Sequence, residues 1–324
     1  MIAGEMQGTQ AQGGDCLLVQ KDSLLPTPRE LAAVPEREPV DLDAAISIRG
    51  LEKRYGEFTA VDGLDLDIRR GEIFALLGPN GAGKTTTVEI CEGYRKPDAG
   101  EVRVLGQDPA DGGRAWKAQL GIVLQSGAGD SQLTCREMLQ AQASYYPDPR
   151  DADEVLALVG LTEKAKSRGR TLSGGQRRRL DVALGIIGRP TLLFLDEPTT
   201  GFDPAARRAA WELIRALRAL GTTILLTTHY LDEAQQLADR VAVLRDGLIV
   251  RQGSPADLIG DTRTTEIRYV QNGEVVIVST TEPTRALNEL TAEALATGQE
   301  LERLEVRRPT LEDVYLELVG EESE

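Results

Sequence analysis

Ile73-Phe-Ala-Leu-Leu-Gly-Pro-Asn-Gly-Ala-Gly-Lys-Thr-Thr86 is the stretch on which the fold turns. Its first five residues are continuously apolar, which suits a strand covered on both faces, as in a parallel sheet flanked by helices. The next eight, Gly78-Pro-Asn-Gly-Ala-Gly-Lys-Thr85, fit G-x-x-x-x-G-K-[ST]. Glycines at those positions let the backbone wrap tightly enough for its N–H groups to face phosphate oxygens. The helix predicted to follow adds the positive end of its dipole. Lys84 can then reach the outer phosphates, and the Thr85 hydroxyl can ligate Mg²⁺. A dinucleotide fold needs G-x-G-x-x-G, and the spacing here is different. The plainer alternative is a glycine-rich turn that merely caps a helix.

Outward from this loop, Leu192-Leu-Phe-Leu195 and Thr223-Ile-Leu-Leu226 repeat the buried-strand pattern. Helical spacing between them, as over residues 205–220, predicts a parallel α/β sheet. Upstream, Ile46 and Ile48, then Leu64, Leu66 and Ile68, alternate with polar neighbours, which predicts antiparallel strands with one wet face. Residues 126–170 carry no buried-strand run but show helical spacing at 136–145 and 152–159, so they read as a helical insertion. Beyond about residue 260 the character changes. Two strand patterns flank Asn272-Gly273, a hairpin signal, and a helix, a strand and a last helix (311–319) follow. The expected organisation is a disordered extension over 1–44, a nucleotide-binding domain over 45–260, a small α+β domain over 261–320 and an acidic tail over 321–324.

The 37 Lys and Arg residues against 52 Asp and Glu leave a net charge of −15, a field that repels phosphate backbones and argues against a nucleic-acid partner. No apolar run approaches the roughly 20 residues that cross a bilayer, and no basic segment followed by an apolar run marks a secretory signal. Three scattered cysteines (Cys16, Cys91, Cys135) form no CxxC pair, which speaks against a disulfide framework or a zinc site. A protein on the cytoplasmic side is expected.

Asp196 and Glu197 end the strand at 192–195. A carboxylate there, beside the phosphate loop, is placed to hold Mg²⁺. Strand alternation turns Glu197 another way, where it could polarise an attacking water. Two solvated acids at a strand end are an equally common reading. His229, the one histidine, follows Thr227-Thr228 at the carboxyl end of a third buried strand, where open α/β sheets bind ligands. That position favours a contact with a γ-phosphate over a structural role. Leu172-Ser-Gly-Gly-Gln176 opens a second helix with glycines and a hydroxyl, which implies a second anion-facing surface. One phosphate loop needs one nucleotide, so the second surface points to a nucleotide held by another molecule.

With these motifs in this order, residues 45–260 resemble the ATP-binding subunits of ABC transporters. The resemblance implies that Tyr55, in Lys53-Arg-Tyr-Gly56, stacks on adenine and that Gly78, Pro79, Asn80, Gly81, Ala82, Gly83, Lys84, Thr85 and Thr86 cradle the ATP phosphates. It implies Mg²⁺ ligation by Thr85, Gln125 and Asp196, with Glu197, His229 and Lys84 as catalytic groups. Leu172, Ser173, Gly174, Gly175 and Gln176 match the family signature which, with Asp203 of the following loop, meets the ATP of a partner copy. Gly201 and Phe202 depart from the usual residues of that loop without removing a reacting group. Arg308-Pro-Thr-Leu-Glu-Asp-Val-Tyr315 and Leu318-Val-Gly320 are similar to the end of drug-exporter ATPases of the daunorubicin-resistance type, and Arg177-Arg-Arg-Leu-Asp-Val-Ala183 points the same way. The implied fold class is α/β: a P-loop NTPase core of the ABC ATPase kind with antiparallel β and helical subdomains, plus a small C-terminal α+β appendage. The implied partners are a second copy of the chain and a separate membrane-spanning permease. The alternatives are an importer ATPase or one that remodels another complex; a single motif set and a short Gln125-to-Ser173 gap weigh against the remodelling kind.

Overall fold

The computed structural model describes residues 43–123, 131–260, 265–271, 273–298 and 300–320. It opens with β1 (Ile46–Tyr55), β2 (Phe58–Ile68), β3 (Ile73–Leu77), α1 (Lys84–Cys91), β4 (Ala99–Val104), α2 (Arg114–Lys117) and β5 (Leu120–Val123). Next come α3 (Cys135–Ala143), α4 (Ala152–Leu158), α5 (Gly174–Ile186), β6 (Leu192–Asp196), α6 (Pro204–Ala219), β7 (Thr223–Thr227) and α7 (Leu231–Leu237). The chain continues through β8 (Arg240–Arg245), β9 (Leu248–Gly253), α8 (Pro255–Ile259), β10 (Thr265–Gln271), β11 (Glu274–Thr280), α9 (Pro283–Thr297), β12 (Glu302–Arg307) and α10 (Leu311–Val319).

Six strands form the main sheet in the order β5-β6-β7-β3-β8-β9, parallel except for β9 at one edge. All five residues of β3 are buried because both faces are covered. Alternate residues feed different cores: Ile73, Ala75 and Leu77 pack among the helices, whereas Phe74 and Leu76 pack with Ile46, Ile48 and Leu66. The latter three belong to the second sheet, β2-β1-β4, which is antiparallel as the alternating pattern predicts. The α/β class, with its antiparallel and helical parts, is what the sequence leads one to expect.

Residues 131–170 contribute α3 and α4 and, among the described residues, no strand of the sheets. Thr134 starts α3 with a capping box to Glu137, and Asp151 caps α4 by accepting from the Asp153 and Glu154 N–H groups. Met138, Leu139, Val155 and Leu156 then face the larger core.

The C-terminal region corrects one expectation. Residues 265–307 make a three-stranded antiparallel sheet, β11-β10-β12, with α9 packed on β10. Gly273 (φ +84°) sits in the turn joining β10 to β11; Asn272 lies outside the described residues. The last helix does not belong to this unit. α10 forms part of the compact body of residues 43–260. Its apolar positions Leu311, Val314 and Leu318 recur at helical spacing and join the larger core beside α7 and α8. Arg245 Nη1 donates to the Leu318 carbonyl (2.9 Å), and the Leu311 N–H donates to Gln235 Oε1 (3.4 Å). The appendage expected over 261–320 thus excludes its last helix. The extension expected over 1–44 lies almost wholly outside the described residues, and the tail at 321–324 does so entirely.

Leu311 is fully buried and Leu316, on the same helix, is 41% exposed. Leu311→Ala is expected to cost about 2–4 kcal/mol, and Leu316→Ala under about 1 kcal/mol. Calorimetric unfolding of the full chain measures both, and equal effects would contradict the placement of α10.

Candidate nucleotide-binding site

The loop between β3 and α1 owes its shape to two close approaches. Gly83 has φ +102°, and a Cβ there would lie 2.3 Å from the Ala60 carbonyl oxygen of β2. A Cβ on Gly78 would lie 2.5 Å from the Leu244 carbonyl oxygen of β8. The loop therefore presses its backbone against both sheets, which only glycine permits. No side chain caps α1, so its first N–H groups face the loop's concavity. Lys84 Nζ donates to the Gly78 and Pro79 carbonyls (2.5 and 2.9 Å), which holds the ammonium over the same concavity.

A cleft of about 330 Å³ opens here, lined by Tyr55, Phe58, Asn80, residues 83–86, Asp196 and Glu197 among others. Tyr55 and Phe58 are 40% and 57% exposed, and the Arg95 guanidinium lies 5.5 Å from the Tyr55 ring centre. The structure thus brings Lys84, Thr85, Thr86, Asp196 and Glu197 together. Gln125 lies outside the described residues. Thr85 and Asp196 supply hard oxygen donors. That suits Mg²⁺, which keeps several waters and takes its remaining ligands from phosphates.

Asp196 accepts a short hydrogen bond from the Thr227 hydroxyl of β7. Glu197 departs from the reason given by strand alternation. It lies past the end of β6 with φ +46°, a left-handed conformation unusual outside glycine. Its N–H donates to the Thr227 carbonyl (3.0 Å), its Oε2 accepts from the Thr200 hydroxyl (3.1 Å), and its Oε1 lies 3.0 Å from His229 Nδ1. His229, about half exposed, packs against Tyr230 with the rings tilted by 39° and their centres 4.1 Å apart, and the Arg207 guanidinium covers the Tyr230 ring at 4.4 Å.

The second glycine motif stands apart from this cleft. Ser173 is the N-cap of α5 and forms a capping box: its Oγ accepts from the Gln176 N–H (3.3 Å), and Gln176 Oε1 accepts from the Ser173 N–H (3.1 Å). Leu172 is buried, whereas Ser173 and Gly174 are exposed. Asp203 caps α6, its carboxylate accepting from the Ala205 and Ala206 N–H groups at 2.9 Å each.

Three carboxyl or guanidinium groups near the site gave no signal in the sequence. Arg178 is buried on α5; its Nε donates to the Pro198 carbonyl (3.3 Å) and its Nη2 to the Asp196 and Glu197 carbonyls. Burial pushes its pKa down, and Asp181, Asp196, Glu197 and Glu233 oppose that shift. Glu233 is fully buried on α7, where Trp211 Nε1 donates to it (3.2 Å); burial pushes its pKa up while the Thr228 and Thr199 hydroxyls pull it down. Glu92, at the end of α1, is pushed up to about 7 by burial and then by Glu89 and Asp196. Phe58 could have been found only as an apolar residue in a polar turn.

With this geometry in view, comparison with known proteins gives consistent matches. The family model described as ABC transporter matches residues 61–200. The daunorubicin resistance ATP-binding protein DrrA3 of Streptomyces coeruleorubidus is 38% identical over 307 residues, covering 86% of this chain and 97% of the relative. The Nod factor export ATP-binding protein I of Ralstonia nicotianae is 46% identical over 220 residues, covering 66% and 68%. Among solved structures, the ATP-binding subunit of an ABC transporter superposes with a TM-score of 0.60 at 27% identity, covering 66% of this chain and 91% of that one. An ATP-binding cassette in a dimeric post-hydrolysis state bound to ADP and Pi gives 0.59 at 25%, covering 64% and 98%.

Gly83→Ala is expected to weaken nucleotide binding by at least about tenfold, because the new methyl group must displace β2 or the loop. Gly81→Ala, with φ +82° but nothing within 4 Å of its Cβ, should cost less. Fluorescence titration with a labelled ATP analogue ranks the two, and an unchanged affinity in Gly83→Ala would contradict the packing described.

Proposed function

The chain belongs to the ATP-binding subunits of ABC transporters, and from that premise we propose that it hydrolyses ATP between two of its own copies to power a membrane exporter. The observation that carries the two-copy reading is the contrast between its glycines. Gly83 and Gly78 are demanded by this chain's own packing. Gly174 is not: it is helical, and a Cβ there would meet nothing within 4 Å. A Cβ on Gly175 would only touch the Ala206 methyl at 4.0 Å. Glycine is a weaker helix former than alanine. Two such residues in the first turn of α5 need an outside reason, and the close approach of a partner copy's nucleotide supplies one. In this reading Leu172, Ser173, Gly174, Gly175, Gln176 and Asp203 face the ATP held by the other copy's phosphate loop.

Within each composite site, Tyr55 stacks on the adenine and residues 78–86 hold the phosphates by backbone N–H groups and the Lys84 ammonium. Thr85 and Asp196, with Gln125, would hold Mg²⁺, which when bound neutralises charge on the phosphate oxygens. Glu197 orients a water and takes its proton as the water oxygen bonds to the γ-phosphorus and ADP departs. The His229 contact fixes the Glu197 carboxylate from one side and the Thr200 hydroxyl from the other. Lys84 and His229 stabilise charge on the transferring phosphoryl group.

Among the described residues no helix is long and apolar enough to cross a membrane. The cargo path is accordingly assigned to a separate permease, with this chain peripheral on the cytoplasmic side. Export, of drugs or other hydrophobic compounds, is favoured by the relatives named for daunorubicin resistance and Nod factor export.

Glu197→Gln should bind ATP yet turn over about 10²–10⁴-fold more slowly, accumulating an ATP-bound dimer detectable by light scattering. Wild-type turnover in that variant would refute the assignment of the base. Ser173→Arg should leave ATP binding by the monomer intact while abolishing ATP-driven dimerisation and hydrolysis. A monomeric Ser173→Arg chain that hydrolyses ATP at the normal rate would refute the shared site.

A further inference from the structure

Residues 177–179 are three consecutive arginines on α5, and they do three different things. Arg179 Nη1 donates to the Gly160 carbonyl (3.3 Å), beyond the end of α4. Arg177 is half-buried. Arg178 alone is buried and turned toward the end of β6, where its guanidinium takes the carbonyls of Asp196, Glu197 and Pro198. Three successive carbonyls on one planar fork leave little freedom to the backbone between them. That backbone includes Glu197, held at φ +46°. A left-handed conformation persists in a residue with a side chain only where its surroundings over-determine it. Here the N–H is fixed by the Thr227 carbonyl, and the C=O accepts from both Arg178 Nη2 and the Thr200 N–H, at 3.3 Å each.

We propose that Arg178 is a positioning residue for ATP hydrolysis: it locks the 196–198 backbone so that Glu197 keeps the conformation in which it can activate water. The proposal rests on Glu197 being the base, as argued above. Arg178 stands on the helix that Ser173 caps, between one and two turns further on. The signature turn therefore cannot shift along α5 without pulling on the backbone of this chain's own Glu197. Lysine would keep the charge but not the fork, since one ammonium cannot span three carbonyls with the same geometry. The negative charges of Asp181, Asp196, Glu197 and Glu233 favour the positive charge of Arg178 against the cost of burial.

The test uses the full chain with Mg-ATP, comparing Arg178→Lys and Arg178→Gln in the wild-type and Glu197→Gln backgrounds, with Tm followed in all. The expected result is a fall in kcat of about tenfold for lysine and about a hundredfold for glutamine. KM for ATP and ATP-driven dimer formation should stay within about threefold. In the Glu197→Gln background neither substitution should lower turnover further, because a lost base no longer needs positioning. A purely structural arginine would lower Tm and nucleotide binding together with kcat and would add its loss to that of Glu197→Gln; that pattern overturns the proposal. So does wild-type kcat in both variants when Glu197→Gln alone is slow. Wild-type turnover in Glu197→Gln by itself would instead remove the assignment of the base, and the role of Arg178 with it.

Discussion

The backbone oxygen of Ala60 is where the two sheets and the phosphate loop meet. It lies 2.3 Å from the place a Gly83 Cβ would occupy and 3.0 Å from that of Gly247, in the turn between β8 and β9. Hydrogen bonds stitch the same junction: Gly247 N–H donates to the Ala82 carbonyl (3.2 Å), and Asp62 N–H donates to the Gly247 carbonyl (3.0 Å). The parallel sheet fixes one wall of the loop and the antiparallel sheet the other. Tyr55 and Phe58 reach the cleft only because β1 and β2 are held at this junction. Without that contact the N–H groups at the start of α1 would remain, but nothing would aim them.

A second constraint operates at the far wall. Asp196 and Glu197 are adjacent carboxylates at the end of β6, and Glu233 and Asp181 are near enough to act on the same guanidinium. The buried Arg178 guanidinium donates to the backbone carbonyls of Asp196, Glu197 and Pro198 and sets a positive charge beside these acids. Asp196 and Glu197 line the cleft from this wall.

What could be read from the sequence follows from how local each cause is. The five apolar residues of β3 and the glycine spacing after them carry their meaning within a dozen positions, so strand, loop and helix were all legible. The conformation of Glu197 was not, because a positive φ in a glutamate is imposed by Thr227 and Arg178 from distant strands and helices. Nor was Arg178 separable from Arg177 and Arg179: the phase of α5 against β6 decides which of three identical side chains goes inward. The spacing of Leu311, Val314 and Leu318 announces an amphipathic helix but says nothing of what it packs on, and α10 returned to the nucleotide-binding body. Site residues such as Asp203 were legible as motif members, while its engagement as the cap of α6 required the backbone.

The capping box at the start of α5 bears on how one turn can serve both its own helix and an outside phosphate. In that box Ser173 Oγ and Gln176 Oε1 act only as acceptors, each taking a backbone N–H. A hydroxyl has a donor besides its lone pairs, and a side-chain amide has two. The cap therefore consumes none of the hydrogen atoms that an anion would need. An aspartate at position 173 would cap the helix equally well, but it would place a negative charge where a phosphate is to arrive and offer no donor. An alanine would do neither task. Among good capping residues, serine combines a helix start with donation to an anion at the least bulk, and the exposed glycine beside it leaves the approach clear. The local demand for a helix start and the proposed demand for a partner's nucleotide are met by the same atoms through opposite hydrogen-bond polarities.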